Sequence, residues 1–457
     1  MGIKLEIDIL KKYDKEGPRY TSYPSAPIFS ESFTAENYKQ AIINNNGKQN
    51  TSDISLYFHI PFCNQLCYFC ACNMMVTRDR GLIDDYLNLL FREISLVKRE
   101  LNKERKVGQM HWGGGSPSYL TKTQVATLFN FIRSNFDFTE DAEIGIEIDP
   151  RDLTADDIPF LAEIGFNRLS MGVQDFNPQV QKAVNRVQPE ELTTSILKAA
   201  KNKFKSVNID LIYGLPYQTV DSFSETICKI IQLKPDRIAM FNFAYLPNLK
   251  KHQKLLRSET LPKPEEKLEI LINTVDKLTS NGYIYIGMDH FALQDDELSI
   301  AQKNGTLHRN FQGYSTKAGL DLYAFGITSI SFFGSVYTQN VKTIPEYKNL
   351  LAKNIFPVMR GYKMTEDDII RHYVIMNLMC HMHLSKHEFS QRFGLNFDEY
   401  FEIEMLQPFI DDGLIINTDS EISVSYMGRF VIRNIAMCFD RYIGTDAYKG
   451  VKFSRTV

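Results

Sequence analysis

The sequence predicts an α/β fold with a parallel sheet, and two repeated features support this prediction. First, six short apolar runs each lead through a polar or glycine-rich break into an amphipathic helical stretch. The runs span 55–62, 109–115, 143–150, 167–174, 206–214 and 237–244. Strands that alternate with helices indicate βαβ units, because parallel neighbours need long crossover connections. Six such units form either an open doubly wound sheet or a partial barrel, and periodicity alone does not choose between them.

Polar residues near the ends of these runs are the second feature, and they indicate a shared site. Buried parallel strands are costly places for unpaired carboxylates and amides, and α/β folds bind ligands at the carboxyl ends of their strands. A single such residue is as often a helix N-cap, but recurrence in successive runs favours one polar site. The residues are Glu147, Asp149, Gln174, Asp175, Asp210 and Asn242.

Composition narrows the class of protein. Apolar residues make up 44% and charged residues 23% of the 457 residues, which excludes a disordered or fibrous chain. The 52 basic and 55 acidic residues leave a net charge of −3, which argues against a nucleic-acid binder. No apolar run is long enough to cross a bilayer, and the first residues lack a signal-peptide core. We therefore expect a cytoplasmic protein with no membrane partner, whose seven cysteines are not a disulfide scaffold.

The chain divides into three predicted regions. An N-terminal arm (1–54) shows little regular pattern and contains GPRYTSYPSAP, and the main domain covers 55–335. Within the main domain, residues 307–319 form a long, irregular aromatic segment. Loops of this length inside a compact chain tend to be functional. Residues 336–457 form a mostly helical, winged-helix-like lid domain. Residues 365–441 include 13 acidic and 6 basic residues. This negative net charge argues against DNA binding by the C-terminal region.

Four cysteines within ten residues give the sharpest signal. Cys63, Cys67 and Cys70 have the spacing C-x3-C-x2-C on a loop after the first predicted strand. Three thiolates can bind three irons of a four-iron, four-sulfur (4Fe-4S) cluster and leave the fourth iron open for chemistry. The alternative is zinc, with Cys72 or His59 as the fourth ligand. A second cysteine or histidine pair that would close a zinc site is missing from the neighbourhood. The glycine run 113–115, after the second strand, is a candidate cradle for a bound ligand.

These motifs carry a resemblance to a known family. The cysteine spacing followed by the glycine run resembles the radical S-adenosylmethionine superfamily. A longer series resembles the oxygen-independent coproporphyrinogen III oxidase family from Gly17 to the C-terminus: PRYTSYPSA, YFHIPFCNQLCYFCACN, HWGGGSPSYL, IEIDPR, NRLSMGVQDF, NIDLIYGLP, GMDHFA and HRNFQGY. The resemblance implies a partial (β/α)6 TIM-like barrel of the radical S-adenosylmethionine type.

The resemblance also implies a reaction and its cofactors. Members of the family cleave S-adenosylmethionine at a 4Fe-4S cluster to a 5′-deoxyadenosyl radical. They use it, without oxygen, to decarboxylate two propionates of coproporphyrinogen III, which gives the vinyl groups of protoporphyrinogen IX in haem biosynthesis. Two adenosylmethionine molecules are implied, as are a flavodoxin- or ferredoxin-like electron donor and a monomer.

Site residues follow from the resemblance by matching motifs. The metal ligands are Cys63, Cys67 and Cys70. The cluster-bound adenosylmethionine is assigned to Tyr57, Gly114, Glu147 and Ile330. The second molecule is assigned to Phe69, Gly115, Ser116, Gln174, Arg186, Asp210 and Ala244. Residue chemistry agrees for Glu147, Arg186 and Asp210, which suit an ammonium, a carboxylate and a ribose hydroxyl or ammonium.

Catalytic and substrate-side roles are assigned to a further group. Cys72, Glu147, Phe311 and Gln312 are predicted to be catalytic or to position the reactants, and Arg19 and Arg309 are hypothesised contacts of the substrate carboxylates. Two departures from the family pattern are small: Ser116 replaces the usual threonine after the glycines, and Ala71 replaces a frequent glycine.

Three alternatives remain open. A haem-binding chaperone of the same superfamily shares the cluster motif, but such relatives typically lack the fourth cysteine and the PRYTSYP arm. A related radical enzyme opens haem anaerobically. A zinc protein with a winged-helix DNA reader is disfavoured by the acidic C-terminal region.

Overall fold

The computed structural model describes residues 7–46 and 52–457. Within the predicted arm, two helices form that the sequence pattern did not indicate: α1 (Ile7–Tyr13) and α2 (Ala35–Asn45). Helix α2 begins at a capping box, in which the side chains of Thr34 and Asn37 each bond the other's backbone N–H. Residues 1–6 and 47–51 of the arm lie outside the described residues.

The six predicted strands all form, with a helix after each of the first five. In chain order the elements are β1 (Ile54–Ile60), β2 (Phe62–Cys63), β3 (Met75–Val76), α3 (Arg80–Glu100), β4 (Val107–Gly114), α4 (Lys122–Asn135), β5 (Phe138–Ile148), α5 (Ile158–Ile164), β6 (Arg168–Gln174), α6 (Pro178–Ala183), α7 (Glu190–Ala200), β7 (Ser206–Tyr213), α8 (Val220–Leu233) and β8 (Arg237–Asn242). Helix α3 shows the pattern: its buried positions, such as Ile83, Leu87, Leu90 and Ile94, recur every three or four residues.

Further strands extend the sheet on both sides. The next elements are α9 (Pro264–Ser280), β9 (Tyr283–Gly287), β10 (His290–Leu293), α10 (Glu297–Lys303), β11 (His308–Asn310), β12 (Gly313–Ser315), β13 (Asp321–Phe325), β14 (Ile330–Phe333), β15 (Val336–Asn340), α11 (Ile344–Ala352) and β16 (Val358–Lys363). Strands β11 and β12 form a hairpin of their own. The predicted long aromatic segment therefore contains a small hairpin.

The main sheet has twelve strands in the order β16-β15-β14-β13-β1-β4-β5-β6-β7-β8-β10-β9. The six predicted strands lie side by side in chain order and are parallel, which confirms the βαβ prediction. Strand β13 also pairs in parallel with β1, so the parallel part has one more strand than the six predicted. Within the described residues the two end strands do not pair with each other, and the sheet is open, as in a partial barrel.

The C-terminal part contains helices and a small sheet. Its elements are α12 (Glu366–His381), β17 (His383–Ser385), α13 (Lys386–Phe393), α14 (Phe397–Tyr400), α15 (Gln407–Asp411), β18 (Ile415–Asn417), β19 (Glu421–Val424) and α16 (Ile432–Met437). The two predicted short strands pair with each other, and β17 adds a third strand.

The predicted boundaries of the three regions stay a prediction, and the sheet suggests one change. Strands β15 and β16 pair within the main sheet, β15 with β14 and β16 with β15. We therefore propose that the main domain continues to about residue 363 instead of ending at 335.

The arm and the C-terminal region pack together. Tyr20 and Tyr23 are buried, and the Tyr20 hydroxyl donates to Asp440 at 3.0 Å. Arg433 of α16 donates to the backbone carbonyls of Gly17 and Pro18. The arm therefore lies between the barrel and the C-terminal helices.

The main core lies beneath the sheet, where aromatic rings from strands and helices meet. Trp112 of β4 packs edge-on against Phe166 and at a tilt against Phe129, with ring centroids 5.1 and 6.2 Å away. In the described ranges we find no helix with the length and hydropathy needed to span a bilayer.

Candidate active site

The cysteine loop leaves the carboxyl end of β1 and is closed by a short strand pair. Phe62 lies opposite Met75 and Cys63 opposite Val76, so β2 and β3 bring the two ends of the loop together. A turn in which the Cys70 N–H donates to the Cys67 carbonyl at 3.1 Å shapes its middle. Cys67 is buried, Cys63 and Cys70 are partly exposed, and Cys72 is exposed. The three predicted cluster ligands therefore share one closed loop.

Two arginines face the central thiol. Arg151 Nη2 lies 3.2 Å and Arg186 Nη1 lies 3.6 Å from Cys67 Sγ. Asp149 joins the two guanidinium groups, at 2.6 Å from Arg151 Nη2 and 2.8 Å from Arg186 Nη1. Burial alone would raise the pKa of Asp149, but Arg186 and Arg151 lower it to about 2. Two arginines and one aspartate leave a net positive charge beside the Cys67 sulfur.

The donor set fits an iron–sulfur cluster better than a single metal ion. Among the described residues, no three histidine, cysteine or carboxylate side chains converge as one metal ion requires. A four-iron cluster makes no such demand, because it binds each cysteine through a different iron. A hydrogen bond between Cys70 and Cys72 lowers the pKa of the Cys70 thiol. Two arginines close to the Cys67 sulfur, of which Arg186 is buried, agree with an anionic cluster on the loop.

The glycine run 113–115 is filled from within the chain. A Cβ on Gly113 would lie 2.8 Å from the Glu147 carboxylate, and one on Gly114 would lie 2.7 Å from the His59 ring. A Cβ on Gly115 would meet the Pro61 backbone at 2.7 Å. Only Gly114 of the three has a positive φ, +117°. The glycines therefore let β4 approach the cysteine loop and Glu147 closely, and the interpretation of the run as a ligand cradle stays a prediction.

A cavity of about 390 Å³ brings five predicted site residues together. These are Tyr57, Glu147, Phe311, Gln312 and Ile330. Tyr57 stacks on His111, with an interplanar angle of 11°, because the two residues are opposite each other on β1 and β4. His111 Nε2 lies 3.1 Å from Glu147 Oε1, and the Gly114 N–H donates to Oε2 at 3.3 Å. Although burial raises the pKa of Glu147, these hydrogen bonds outweigh it and hold the pKa below its usual value.

Asp210 lies in an adjoining cavity of about 180 Å³, which shares Glu147 and Gln312 with the first. Asn208 Nδ2 donates to Asp210 Oδ1 at 2.7 Å, and the Ser170 hydroxyl donates to Oδ2 at 3.2 Å. Burial and the charge of Glu147 raise the pKa of Asp210 to about 7. At neutral pH this carboxyl group therefore exchanges readily between its protonated and ionised forms.

Gln174 and Arg186 meet at the end of β6. Gln174 has φ 70°, and Arg186 Nη2 donates to the Gly172 carbonyl at 2.7 Å. The sequence assigned Arg186 to a ligand carboxylate, but the structure pairs it with Asp149. Its buried Nε has no hydrogen-bond partner in the described part of the chain, so one donor is left for a ligand.

The other residues assigned to the second adenosylmethionine are more dispersed. Ser116 is buried and its hydroxyl donates to Asp152 at 3.0 Å. Ala244 lines a different cavity, of about 280 Å³. Gln253 Nε2 links Ala244 to the cysteine loop, since it donates to the carbonyls of Ala244 at 3.2 Å and Phe69 at 3.3 Å.

Sequence reasoning assigned no role to several residues that the fold places at the site. Arg151 stands in the quoted motif IEIDPR, so an unassigned cation two residues after Asp149 was a usable signal. His111 was detectable as a polar residue inside the second apolar run. His290 stands in the quoted motif GMDHFA. Gln253 gave no comparable signal, because its position depends on contacts between distant segments.

The walls of the 390 Å³ cavity on the side away from the cysteine loop are electropositive. Arg309 is 3% exposed, and its Nε and Nη1 have no hydrogen-bond partner among the described residues. Arg19, the other predicted substrate contact, is instead paired with Asp289. Burial and Arg309 lower the pKa of His290 to about 3, so its imidazole is neutral. Arg433 lies nearby, and burial together with Arg19 lowers its pKa to about 9.

Comparisons with known proteins agree with this geometry. The Radical SAM superfamily matches residues 57–229, and the HemN C-terminal domain matches residues 364–431. The chain is 46% identical to the oxygen-independent coproporphyrinogen III oxidase of Synechocystis sp., over 100% of this chain and 98% of that protein. It is 45% identical to the protein of the same name from Escherichia coli K12, over 100% and 99%.

A solved structure shares the whole architecture. It is described as coproporphyrinogen III oxidase from Escherichia coli, a radical S-adenosylmethionine enzyme. It is 44% identical to this chain and superposes with a TM-score of 0.92 over 97% of this chain and 100% of that one. The predicted partial barrel with an appended C-terminal domain is therefore confirmed.

Proposed function

The chain belongs to the oxygen-independent coproporphyrinogen III oxidase family, and from that membership we propose that it decarboxylates two propionates of coproporphyrinogen III to vinyl groups. The product is protoporphyrinogen IX, an intermediate of haem biosynthesis. The observation that carries the proposal is the cysteine loop at the carboxyl end of β1, next to a cavity that holds both Glu147 and a buried unpartnered arginine.

When bound, the 4Fe-4S cluster and S-adenosylmethionine supply the one-electron chemistry that removes a hydrogen atom from the propionate. The chain's own residues hold and orient these groups. Cys63, Cys67 and Cys70 would each ligate one iron, and Arg151 donates to the Cys67 sulfur. The ionised Glu147, aligned by His111, is an acceptor for the ammonium of the adenosylmethionine.

Arg309 is the residue best suited to hold a substrate carboxylate. A buried guanidinium with unpartnered N–H groups carries a desolvation cost that an anionic ligand offsets. Arg19 forms an ion pair with Asp289, so we assign it to the structure of the cavity wall and not to direct binding of a substrate carboxylate. The tetracarboxylate substrate thus finds one free cation in a cavity whose other polar groups are neutral or paired.

Four finer assignments belong to the same proposal. Two adenosylmethionine molecules bind, the second near Asp210, Gln174 and the free Nε of Arg186. Electrons come from a flavodoxin- or ferredoxin-like protein. The enzyme works as a monomer in the cytoplasm. Cys72 and Phe311 act beside the reacting propionate.

An anaerobic assay tests the reaction. The reconstituted protein is incubated with adenosylmethionine, dithionite and coproporphyrinogen III, and the porphyrin products are followed by mass while 5′-deoxyadenosine is counted. We expect the loss of two carbon dioxide equivalents. The variant Cys67→Ser should lose the cluster and all turnover, whereas Cys228→Ser, an exposed cysteine on α8, should retain both.

Two results would contradict the proposal. Intact substrate together with adenosylmethionine cleavage and tight haem binding would assign the protein to the chaperone or haem-processing class. Full turnover by Cys67→Ser would remove the cysteine loop from the reaction.

A further inference from the structure

A short basic segment covers the outer side of the cysteine loop. His252 Nε2 donates to the Cys70 carbonyl at 2.7 Å, and Lys250 Nζ donates to the Cys72 carbonyl at 3.3 Å. Gln253, within the same segment, is buried and donates to the Phe69 carbonyl, as described above. Residues 248–257, here called the loop cover, therefore pack against the cysteine loop and bond the backbone of Phe69, Cys70 and Cys72.

The loop cover carries concentrated positive charge in an acidic protein. Its ten residues include Lys250, Lys251, Lys254 and Arg257 and no aspartate or glutamate, although the whole chain has a net charge of −3. Lys251, Lys254 and Arg257 are exposed. Across the described residues, none of these three forms an ion pair with a carboxylate. The fold leaves their charge available to a partner.

Exposed apolar side chains surround the same loop. Leu249 and Leu255 of the loop cover are 66% and 59% exposed. Met75 and Val76 of β3 are exposed at the end of the cysteine loop, and Val187 is exposed beside Asn185, which bonds the Leu66 carbonyl. These five belong to the nine large apolar side chains that are exposed in the described ranges. Apolar residues with a charged rim are typical of a transient protein interface.

We propose that the loop cover and the exposed residues around the cysteine loop dock a small acidic redox protein, which delivers electrons to the cluster. This inference rests on the proposed function, because it needs a cluster on the loop. In each delivery one electron leaves the reduced cofactor of the donor and enters the oxidised cluster, and no bond or proton is exchanged. Charge complementarity selects the partner: a basic face steers an acidic protein toward the loop and disfavours basic ones.

Direct binding tests the surface without relying on turnover. The affinity of a purified acidic flavodoxin and of an acidic ferredoxin is measured for the reconstituted protein and for the double variant Lys251→Glu/Lys254→Glu. The matched control is Lys201→Glu/Lys203→Glu, which reverses two exposed charges at the amino edge of the sheet, before β7. We expect the first variant to weaken binding of the better donor at least tenfold, and the control to change it less than twofold.

Cross-linking and two reductants locate the effect. Carbodiimide, which joins lysine amines to carboxylates, should link the donor to Lys251 or Lys254. The ratio of donor-driven to dithionite-driven adenosylmethionine cleavage should fall in the loop-cover variant and not in the control. Failure of dithionite-driven cleavage in the unaltered protein would overturn the proposed function itself.

Other outcomes overturn only the docking surface. If dithionite supports cleavage but neither acidic donor binds, the surface has a different role. The same holds if both double variants lose affinity equally, or if the cross-links form elsewhere on the protein.

Discussion

The two sides of the barrel mouth differ in how their charges are balanced. On the cysteine side, Asp149 joins Arg151 and Arg186, and all three contact one another or Cys67. On the cavity side, Arg309 is equally buried but has two N–H groups without a partner. In the first region the charges are paired within the chain, although the Nε of Arg186 has no partner among the described residues. The second is incomplete until an anion enters, which is the expected difference between a scaffold and a substrate site.

The comparison also explains why the two regions tolerate substitution differently. A buried carboxylate that joins two arginines stabilises the fold, since removing it leaves two uncompensated cations. A buried arginine without an anion forms no ion pair in the free protein, where the Arg309 guanidinium lies 4.7 Å over the Tyr314 ring, and its ion-pair energy appears only on binding. The predictions below follow this distinction, beginning with the largest expected effect.

Asp149→Asn should be the most damaging of the single substitutions for stability. It keeps the size of the side chain but leaves Arg151 and Arg186 unpaired, at a cost of about 3–5 kcal/mol. Thermal and urea denaturation should show a much lower Tm. Glu190→Gln is the control, because it removes an exposed pair with Lys229 and should change stability by about 0.5 kcal/mol or less. Equal effects would show that the cysteine side does not depend on its ion pairs.

Arg309→Gln should weaken substrate binding without harming the fold. We expect the KM for coproporphyrinogen III to rise about thirtyfold, roughly 2 kcal/mol, with the affinity for adenosylmethionine unchanged. Its Tm should equal or exceed that of the unaltered protein, because the uncompensated cation is gone. Arg309→Lys should restore part of the affinity.

Arg19→Gln should give a smaller rise in KM, below about fivefold, since Arg19 already pairs with Asp289. It should lower the Tm, because Asp289 is buried and loses its partner. If Arg19→Gln raised the KM more than Arg309→Gln, the assignment of the free cation would be reversed.

The pH dependence of stability separates the two carboxyl groups, because their pKa values move in opposite directions on folding. The pKa of Asp210 rises from 3.8 to about 7 on folding, so the folded chain keeps a proton that the unfolded chain loses. Its contribution to stability is therefore present below pH 4 and declines as the pH rises to about 7. Asp149 behaves oppositely: its stabilisation is present above pH 4 and is lost as the pH falls toward 2.

Unfolding measured between pH 5 and 8 checks this difference. Asp210→Asn should flatten the decline in stability over this range. Asp149→Asn should lower stability by the same amount at every pH in it, because Asp149 is ionised throughout. Part of the decline should persist, because burial also raises the pKa of Glu93 to about 7 and that of Asp152 to about 6. A decline in Asp210→Asn as steep as in the unaltered protein would show that Asp210 does not titrate here.

Much of the fold was predictable from the sequence because the signals are local. The six apolar runs form the six parallel strands. Each run and the polar or glycine-rich break after it span about ten residues, so the signal for each strand is local. The helices of the arm were missed because α1 has only seven residues and its buried Leu10 and Tyr13 gain their stability from distant contacts. The parallel pairing of β13 with β1 was missed for a related reason, as it joins segments more than 250 residues apart.

The candidate site divides in the same way. The chemistry of the cysteine motif, and the clustering of Glu147 and Asp210 at one edge of the sheet, could be predicted from spacing alone. The interpretation of the glycine run as a ligand cradle stays a prediction, and the structure adds that Glu147 and His59 pack against Gly113 and Gly114. Residue type and conformational freedom are visible in a sequence, whereas the neighbour that fills a space is not.

By itself, the sequence determined the six strand–helix units, the cysteine loop and the family to which the chain belongs. Only the tertiary structure decided which charges are paired. Arg19 and Arg309 are both arginines in quoted motifs, yet Asp289, 270 residues from Arg19, neutralises one and leaves the other free. Coulomb energy depends on distance in space and on burial, and folding sets both.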